Sequence, residues 1–455
     1  MTEFLTAAQA AQRLGVKPAT LYAYVSRGVL RRDRAADGRS SLFDSHEVER
    51  LAQRGRPRHP VGVADIMVES AITEIAGDRL RYRGLDVIRL ATSRTFEEVA
   101  ELLWTGELPA TRPGRGAGSG RGAGSGRGAG VGRDAPPGRG ARAGRDAPPG
   151  RGAQVPGPVA WRATPAALTA GRAAQAALPA GTLPLERFQV IVPAMAATDP
   201  LRLQLDPAAV HAAGRSIIAG LVDCLPPAAL DHPISGYSST DNPIVDRLWS
   251  RLCDRRPSPA LRRALSAALV LLADHELAAS TLAARVAASV RADPYAVVET
   301  GMGAMSGALH GGASLGAEML LAAASGPDDV PRVVGELLRR GEKVPGFGHL
   351  IYKADDPRAV LLFDLVRRAA PKSRPLAVAE AVLDEVRRKS LPEPNIDLAI
   401  ATLVRVAGMI RGSGEVIFAV ARTAGWIAHA LEAYAGPGPL RPRAVYTGRP
   451  PVDGR

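Results

Sequence analysis

Apolar residues recur with a helical period along most of this chain. From about residue 165 to residue 434, patterns of alanine, leucine and arginine repeat every 3.6 residues, which predicts a series of amphipathic helices. Turn-forming clusters at residues 239–243 and 325–329 separate some of these helices. The stretch 66–73 indicates a short extended pairing segment, and no strand-rich unit is predicted. We therefore expect an all-α fold for this part of the chain.

A second pattern occupies residues 4–54. Thr6 can cap an alanine-rich helix that ends at Gly15, and a second helix is predicted at residues 19–28 after a short turn. A basic hairpin, formed by residues 29–34 and 38–43, and a closing helix at residues 45–51 follow. This order is typical of a helix-turn-helix with a basic wing.

This N-terminal unit resembles the winged helix-turn-helix of MerR-type and excisionase-type proteins. The resemblance implies a DNA-binding domain at residues 1–58, in which the arginines contact phosphates and make the affinity salt-dependent. The candidate DNA-binding residues are Thr20, Tyr22, Arg27, Arg31, Arg32 and Arg39. The alternative is a helical appendage with a solvated basic face, or a dimerisation arm.

The composition is that of a globular protein, with 46% hydrophobic and only 4% aromatic residues among 455. Cys224 and Cys253 are too few for a disulfide framework and have no metal-ligand spacing, so we expect buried thiols. The N-terminus has no basic and apolar leader pattern, and no apolar run approaches the ~20 residues that span a bilayer. A cytoplasmic protein without membrane contact is predicted.

The net charge of +13 is unevenly distributed. Residues 1–58 carry eleven Lys/Arg against six Asp/Glu, and residues 112–152 carry nine Arg against two Asp, which leaves +1 for the remainder. Residues 112–158 consist of Gly/Arg/Pro-rich repeats with too little apolar area to offset the entropy of ordering, so a disordered insertion is predicted. The insertion lacks the interleaved aromatic residues of single-strand binders, so a neutral surface insertion is favoured over nucleic-acid contact.

Two histidines flanked by glycines indicate the chemistry. His310 lies in the sequence GALHGGA at residues 307–313, and His349 lies in VPGFGHLIYK at residues 344–353. Arg358 follows in an Asp-Pro-Arg motif, and Asp397 follows a Pro-Asn turn. Histidines, a carboxylate and arginine forks together suit proton abstraction next to a carbonyl in anionic substrates.

At these residues the chain resembles the citrate synthase family, over about residues 66–448 with one insertion. The stretches that carry the resemblance are residues 82–84 (YRG), 96–109, 273–276 (ADHE), 279–281, 306–313, 345–358, 394–397 (PNID), 421–426 and 441–443. The resemblance implies an almost wholly α-helical homodimer whose active site lies in a cleft between a large and a small domain. The expected domains are residues 1–58 (helix-turn-helix), 61–111 (large domain, first part), 112–158 (insertion), 159–311 (large domain), 312–408 (small domain) and 409–455 (large domain, C-terminal part).

The resemblance also implies a role for each site residue. His310, His349 and Asp397 would be catalytic, with Asp397 removing the methyl proton of acetyl-CoA, His310 donating to its thioester carbonyl and His349 polarising the ketone of oxaloacetate. The oxaloacetate carboxylates would be held by His275, Arg358, Arg422 and Arg441 of the partner subunit. CoA would be bound by Val344, Gly346, Gly348 and Lys353. No metal and no cofactor are expected, because acetyl-CoA is a co-substrate.

Two alternatives stay open at this stage. A 2-methylcitrate synthase would use propionyl-CoA, and Leu350, where bacterial relatives often carry arginine, leaves the acyl-CoA preference undecided. A DNA-binding regulator would use the synthase-like part only to sense a metabolite. The presence of His310, His349 and Asp397 together favours the enzyme, since a sensor needs the arginines but not the base.

Overall fold

The protein is described by a computed structural model in which the chain divides into two compact units, Met1–Glu69 and Ser70–Arg455. The structure describes residues 4–14, 16, 20–21, 24–25, 30–34, 41–45, 47–48, 68–109, 161–228, 239–352 and 355–442. The predicted disordered insertion at residues 112–158 lies outside these ranges.

The first unit combines a short helix with a three-stranded antiparallel sheet of order β1-β3-β2. Its elements are β1 (Phe4–Thr6), α1 (Ala7–Leu14), β2 (Asp33–Arg34) and β3 (Ser41–Asp44). The Thr6 hydroxyl accepts from the backbone N–H of Gln9, as the capping prediction requires. The pairing of β2 with β3 gives the predicted wing, and the pairing of β1 with β3 was not predicted. Leu21, Phe43 and Val48 are fully buried in its small core.

The second unit opens with an antiparallel hairpin and then becomes almost entirely helical. The strands are β4 (Thr73–Ala76), β5 (Arg79–Tyr82) and β6 (Leu85–Asp86). Of the extended segment predicted at residues 66–73, residues 66 and 67 lie outside the described residues and residues 68–72 form no strand. The strand β4 begins at Thr73 and pairs with β5 across the turn at Gly77.

Nine helices of the second unit precede residue 306 among the described residues, and most of them pack against one long apolar helix. They are α2 (Val87–Ser93), α3 (Phe96–Thr105), α4 (Pro165–Ala176), α5 (Pro184–Ala196), α6 (Pro207–Cys224), α7 (Ile244–Leu252), α8 (Pro259–Leu272), α9 (Ala279–Ser289) and α10 (Pro294–Met305). The later helices are α11 (Gly312–Ala323), α12 (Val330–Arg339), α13 (Pro357–Ala369), α14 (Arg374–Arg388), α15 (Ile396–Ala407) and α16 (Ser413–Ala435), with a 3₁₀ turn at Pro327–Asp329. The all-α prediction is confirmed.

The long helix α16 forms the centre of this unit. It packs against α3, α6, α8, α9 and α10, and Trp426 lies so close to Gly301 that a Cβ there would meet the indole at 2.7 Å. Among the described residues, α16 alone is long and apolar enough to cross a membrane, yet 83% of its most apolar window is buried inside the protein. It is a core helix. Cys224 and Cys253 are buried free thiols, as expected.

A second group of helices carries part of the site. The helix α15 packs against α11 and α13. It begins after the N-cap Asn395, whose side chain accepts from the backbone N–H of Asp397 at 3.0 Å. This capping places Asp397 in the first turn of α15.

Candidate active site

The predicted histidines, arginines and carboxylate come from six separate segments of the second unit. His275 follows α8, His310 lies in the turn between α10 and α11, and His349 lies in the loop before α13. Arg358 lies on α13, Asp397 lies on α15 and Arg422 lies on α16.

The turn that carries His310 is held tightly against the end of α10. The backbone N–H of Gly311 donates to the Met305 carbonyl at 2.8 Å, and a Cβ on Gly311 would lie 2.6 Å from that same oxygen. Glycine is therefore required here by close approach, and the turn presents the His310 ring at an edge-on contact with Phe418, 5.7 Å between centroids.

The protonation of His310 follows from its surroundings. Nε2 of His310 lies 2.7 Å from the Ser280 hydroxyl, and that hydroxyl accepts from the indole N–H of Trp426 at 3.4 Å. Because an indole N–H can only donate, the hydroxyl proton of Ser280 is free to point at Nε2. Burial, reinforced by the charge of Arg422, lowers the pKa of His310 to about 4. A neutral His310 then carries its proton on Nδ1, where it can donate to a substrate oxygen.

The His349 ring is oriented by the backbone of the residues that follow it. Its Nδ1 accepts from the N–H groups of Ile351 at 3.0 Å and Tyr352 at 3.2 Å, so the ring proton must lie on Nε2. That nitrogen faces Nη2 of Arg358 at 3.4 Å. Because both nitrogens carry protons, neither accepts a hydrogen bond from the other. Both can donate to one oxygen atom placed between them. Burial and then the charge of Arg358 lower the pKa of His349, so the ring is neutral near pH 7.

His275 lies against His349 in an edge-on contact, 5.3 Å between ring centroids. Its Nε2 is hydrogen-bonded to the Tyr352 hydroxyl at 3.0 Å. The pKa of His275 is held well below its usual value by burial, then by Arg358 and Arg422. All three predicted histidines are thus uncharged, which leaves the arginines as the cations of the site.

Arg358 and Arg422 differ in whether a carboxylate pairs with their positive charge. Arg358 forms a buried two-point pair with Asp356, Nε to Oδ1 at 3.0 Å and Nη2 to Oδ2 at 2.8 Å. Arg422 is 1% exposed and donates from Nε to the Leu272 carbonyl at 2.9 Å. Its Nη1 is buried without a hydrogen-bond partner. A buried guanidinium nitrogen without a hydrogen-bond partner costs free energy in the folded state. Nη1 of Arg422 is therefore a candidate contact for an anionic group.

Asp397 has the environment of a general base. Its carboxylate accepts a short hydrogen bond from Ser314, and burial raises its pKa to about 6, although Ser314, Arg358 and Arg422 act in the opposite direction. A carboxylate whose pKa lies near neutrality combines adequate basicity with a high ionised fraction. Asp397 is linked to Arg358 through Asp356, which pairs with Arg358 and accepts from the backbone N–H of Ile396, the residue before Asp397.

The predicted CoA loop is fastened to the turn before Asp397. The backbone N–H of Asn395 donates to the Gly346 carbonyl at 3.0 Å, and that of Gly348 donates to the Glu393 carbonyl at 2.8 Å. Gly346 has a φ of +84°, and a Cβ there would lie 2.7 Å from that of Leu398. Both facts require glycine, and the two backbone hydrogen bonds hold the loop against the turn that precedes Asp397.

The remaining predicted residues are placed as follows. Val344 is buried beside this loop, and Arg441 is exposed beyond the end of α16. Thr20, Arg31 and Arg32 are exposed in the first unit. Lys353, Tyr22, Arg27 and Arg39 lie outside the described residues.

Several residues that support the site were not predicted. Ser280, Ser314, Tyr352 and Phe418 touch the candidate residues directly. Asp356 holds Arg358 and also accepts from the Ile396 backbone N–H at 3.1 Å. The Asp-Pro-Arg motif could have indicated Asp356, because an aspartate before a proline is typical of a helix N-cap.

A buried polar network lies behind His275. The carboxylate of Asp274 accepts from Thr73 at 2.5 Å and from Nε2 of His429 at 3.4 Å. The sequence pattern predicts only a packing role for His429. In the structure His429 is fully buried, and its Nδ1 accepts from Arg285 at 3.0 Å. The Tyr82 hydroxyl donates to the Asp274 carbonyl at 2.8 Å. These contacts fix the backbone immediately before His275.

Comparison with known proteins assigns both parts of the chain. The family model for the C-terminal domain of citrate synthase matches residues 62–115 and 161–443. A helix-turn-helix domain model matches residues 4–56.

Curated relatives match over part of their length. Citrate synthase 2 of Bacillus subtilis (strain 168) is 36% identical over 211 residues, which is 46% of this chain and 57% of the relative. The citrate synthase of Haloferax volcanii is 37% identical over 201 residues, or 43% of this chain and 53% of the relative. This chain therefore spans about half the length of the curated relatives it matches.

Solved structures share the fold. The citrate synthase of Thermotoga maritima superposes with a TM-score of 0.59 at 23% identity, covering 86% of this chain and 95% of that one. The Thermoplasma acidophilum enzyme, solved as a ternary complex with carboxymethyl coenzyme A and oxaloacetate, superposes with a TM-score of 0.63 at 22% identity, covering 86% and 96%.

Proposed function

The chain belongs to the citrate synthase family, and from this premise we propose that it condenses acetyl-CoA with oxaloacetate to give citrate and CoA. The observation that carries the proposal is a carboxylate with a pKa near neutrality among neutral histidines and two buried arginines. Such a set can remove a carbon-bound proton and stabilise the oxyanion that forms. The proposal includes a cytoplasmic enzyme that needs no cofactor beyond its co-substrate.

The first step is enolisation. Asp397 takes a methyl proton from acetyl-CoA while Nδ1–H of His310 donates to the thioester oxygen. The α-proton of a thioester is a very weak acid, so the negative charge that develops on oxygen has to be stabilised in the same step. Ser280, which accepts from Trp426, holds His310 in the tautomer that can donate.

The second step forms the carbon–carbon bond. The enolate carbon attacks the ketone of oxaloacetate, and Nε2–H of His349 donates to the ketone oxygen that becomes a hydroxyl. Nη1 of Arg422 has no partner in the free site, and Nη1 of Arg358 is not used by Asp356, so both can receive substrate carboxylates. Water then cleaves the thioester of the resulting citryl-CoA, releasing CoA as a thiol and leaving a third carboxylate.

Acetyl-CoA is favoured over propionyl-CoA because the curated relatives described above carry the name citrate synthase. The acyl-CoA meets a partly apolar surface, since Leu309 and Leu350, beside His310 and His349, are fully exposed. Val344, Gly346, Gly348 and Lys353 are the proposed CoA contacts, and the rigid Gly346 loop would present backbone groups to the nucleotide.

The experiment compares wild type with Asp397→Asn by two measurements. Thiol release from acetyl-CoA or propionyl-CoA with oxaloacetate should fall by two or more orders of magnitude in the variant, about 3 kcal/mol in the barrier. Oxaloacetate should still bind in calorimetry, because His275, Arg358 and Arg422 are unchanged. Binding by both proteins without thiol release by either would instead favour a metabolite sensor.

The N-terminal unit has a second proposed function, the binding of duplex DNA. The match to a helix-turn-helix model supports it, and Arg31 and Arg32 are exposed immediately before strand β2 of the wing. In a gel-shift titration of the full chain, Arg31→Gln combined with Arg32→Gln should weaken binding at low salt and flatten its salt dependence. Arg263→Gln combined with Arg339→Gln, at exposed sites in the second unit, removes the same charge as a control. No retardation at low salt would indicate an interaction arm.

A further inference from the structure

A cavity of about 290 Å³ is lined by none of the candidate active-site residues. Its walls are the connection between α4 and α5, the ends of α6 and α7, and the loop between α15 and α16. Three arginines from three of these elements line it, namely Arg187, Arg251 and Arg411. No carboxylate is among its described lining residues.

The three guanidinium groups have no ion-pair partner among the described residues. Arg187 donates to the Gln175 side-chain oxygen at 2.8 Å and to backbone carbonyls, which satisfies hydrogen bonds without neutralising its charge. Nε of Arg251 is buried and has no hydrogen-bond partner. Nη2 of Arg411 has only a 3.8 Å contact with the sulfur of Met319.

Nearby carboxylates are engaged elsewhere. Asp223, whose charge reaches Arg251, is held in a two-point pair by Arg247. Glu186 accepts from the backbone N–H of Leu183, the N-cap residue of α5, at 2.8 Å and makes no ion pair with the three arginines. Burial, then the charges of Glu318 and Glu186, raise the pKa of Glu415 to about 7, so its carboxyl group is only partly ionised at neutral pH. The described residues that line the cavity therefore carry three positive charges and no negative charge.

The backbone on both sides of Arg411 is held in place by hydrogen bonds within the protein. The backbone N–H of Ile410 donates to the Leu252 carbonyl at 2.8 Å, and that of Gly412 donates to Glu318 at 2.9 Å. A loop backbone that is fixed before binding loses less entropy when the ligand arrives. The first turn of α5, which begins at Pro184 in the cavity wall, adds the partial positive charge of a helix N-terminus.

We propose that this cavity binds a small multivalent anion that bears two or more phosphate or carboxylate groups. Arginine forks recognise both groups, and a buried guanidinium nitrogen without a partner is stabilised by an acceptor oxygen. The volume is close to the lower end for small-molecule pockets, which suits pyrophosphate or a tricarboxylate rather than a whole dinucleotide. The binding does not depend on the reaction proposed above.

The test is calorimetric titration of the full chain at constant ionic strength, with inorganic pyrophosphate in one arm and tricarballylate in the other. Wild type should show one saturable site per chain for at least one probe, and the preferred probe identifies the phosphate or carboxylate source. Arg251→Gln and Arg411→Gln should each raise the Kd about tenfold or more. Arg339→Gln, an exposed residue on α12, removes the same charge and should leave the Kd unchanged.

Asp397→Asn should bind the probe as wild type does, so failure of the catalytic proposal would leave this result intact. If Arg251→Gln does not fold, the exposed Arg411 still provides the test. Absence of saturable binding of both probes, an equal loss in Arg339→Gln, or competition of the bound probe with oxaloacetate would overturn the proposal.

Discussion

The Ser280 hydroxyl lies 2.7 Å from Nε2 of His310 and receives its own hydrogen bond from the indole of Trp426. This relationship determines which nitrogen of His310 is protonated. Ser280 thus orients the proposed proton donor through its hydrogen bond to the His310 ring.

Replacing Ser280 by Ala should lower kcat about 10- to 100-fold, a barrier increase of about 1.4–2.8 kcal/mol, with little change in the KM for oxaloacetate. The reason is that the His310 ring loses the contact that holds its proton on Nδ1. Thr281→Val is the matched control, because the Thr281 hydroxyl is buried and makes no hydrogen bond. Steady-state kinetics of the two variants test this prediction. Equal kcat values in wild type and Ser280→Ala would exclude the proposed role of Ser280 in orienting His310.

The pKa of Asp397 predicts the acid side of the pH profile. Burial raises this pKa to about 6, and the proposed base acts only when it is ionised. The kcat/KM for acetyl-CoA should therefore fall about tenfold per pH unit below pH 6. A pH series from 4.5 to 8 at constant ionic strength measures it. A profile that stays flat down to pH 5 would exclude a base with this pKa.

The same shift predicts a stability difference between wild type and Asp397→Asn. The folded pKa of Asp397 lies above the ordinary value of 3.8, so the carboxyl contributes stability that is complete below pH 3.8 and lost as the pH rises through about 6. Asn does not titrate, so the variant should gain about 1–3 kcal/mol relative to wild type between pH 4 and pH 8. Denaturant unfolding at both pH values tests this, and a constant difference would contradict it.

Arg441 allows a test of the proposed homodimer. Asp397→Asn and Arg441→Gln should each have low activity alone. If Arg441 serves the partner subunit's site, a dimer that contains one chain of each kind has one intact site. Statistical mixing after refolding together should then restore about a quarter of wild-type activity. No recovery, with mixed dimers demonstrated by two affinity tags, would place Arg441 within its own subunit or outside the site.

Local sequence was sufficient for much of the architecture. The 3.6-residue period predicted the helical body because each helix buries one apolar face, and the Thr6 cap with the basic hairpin pattern predicted the helix and wing of the first unit. Glycines marked the turns at His310 and His349, since backbone with positive φ or very close approach tolerates no side chain. The pairing of β1 with β3 could not be predicted from the sequence, because three residues are too few to show a period.

The protonation states and charge balance of the site were decided by tertiary structure. Ser280 lies 30 residues from His310 in sequence, and Ser314 lies 83 residues from Asp397. No spacing rule indicates such contacts. The unpartnered nitrogen of Arg422 and the raised pKa of Asp397 arise from the exclusion of water by several helices at once. The sequence determined which chemical groups are available, whereas packing decided which of them are charged, because the cost of a charge depends on what surrounds it in space.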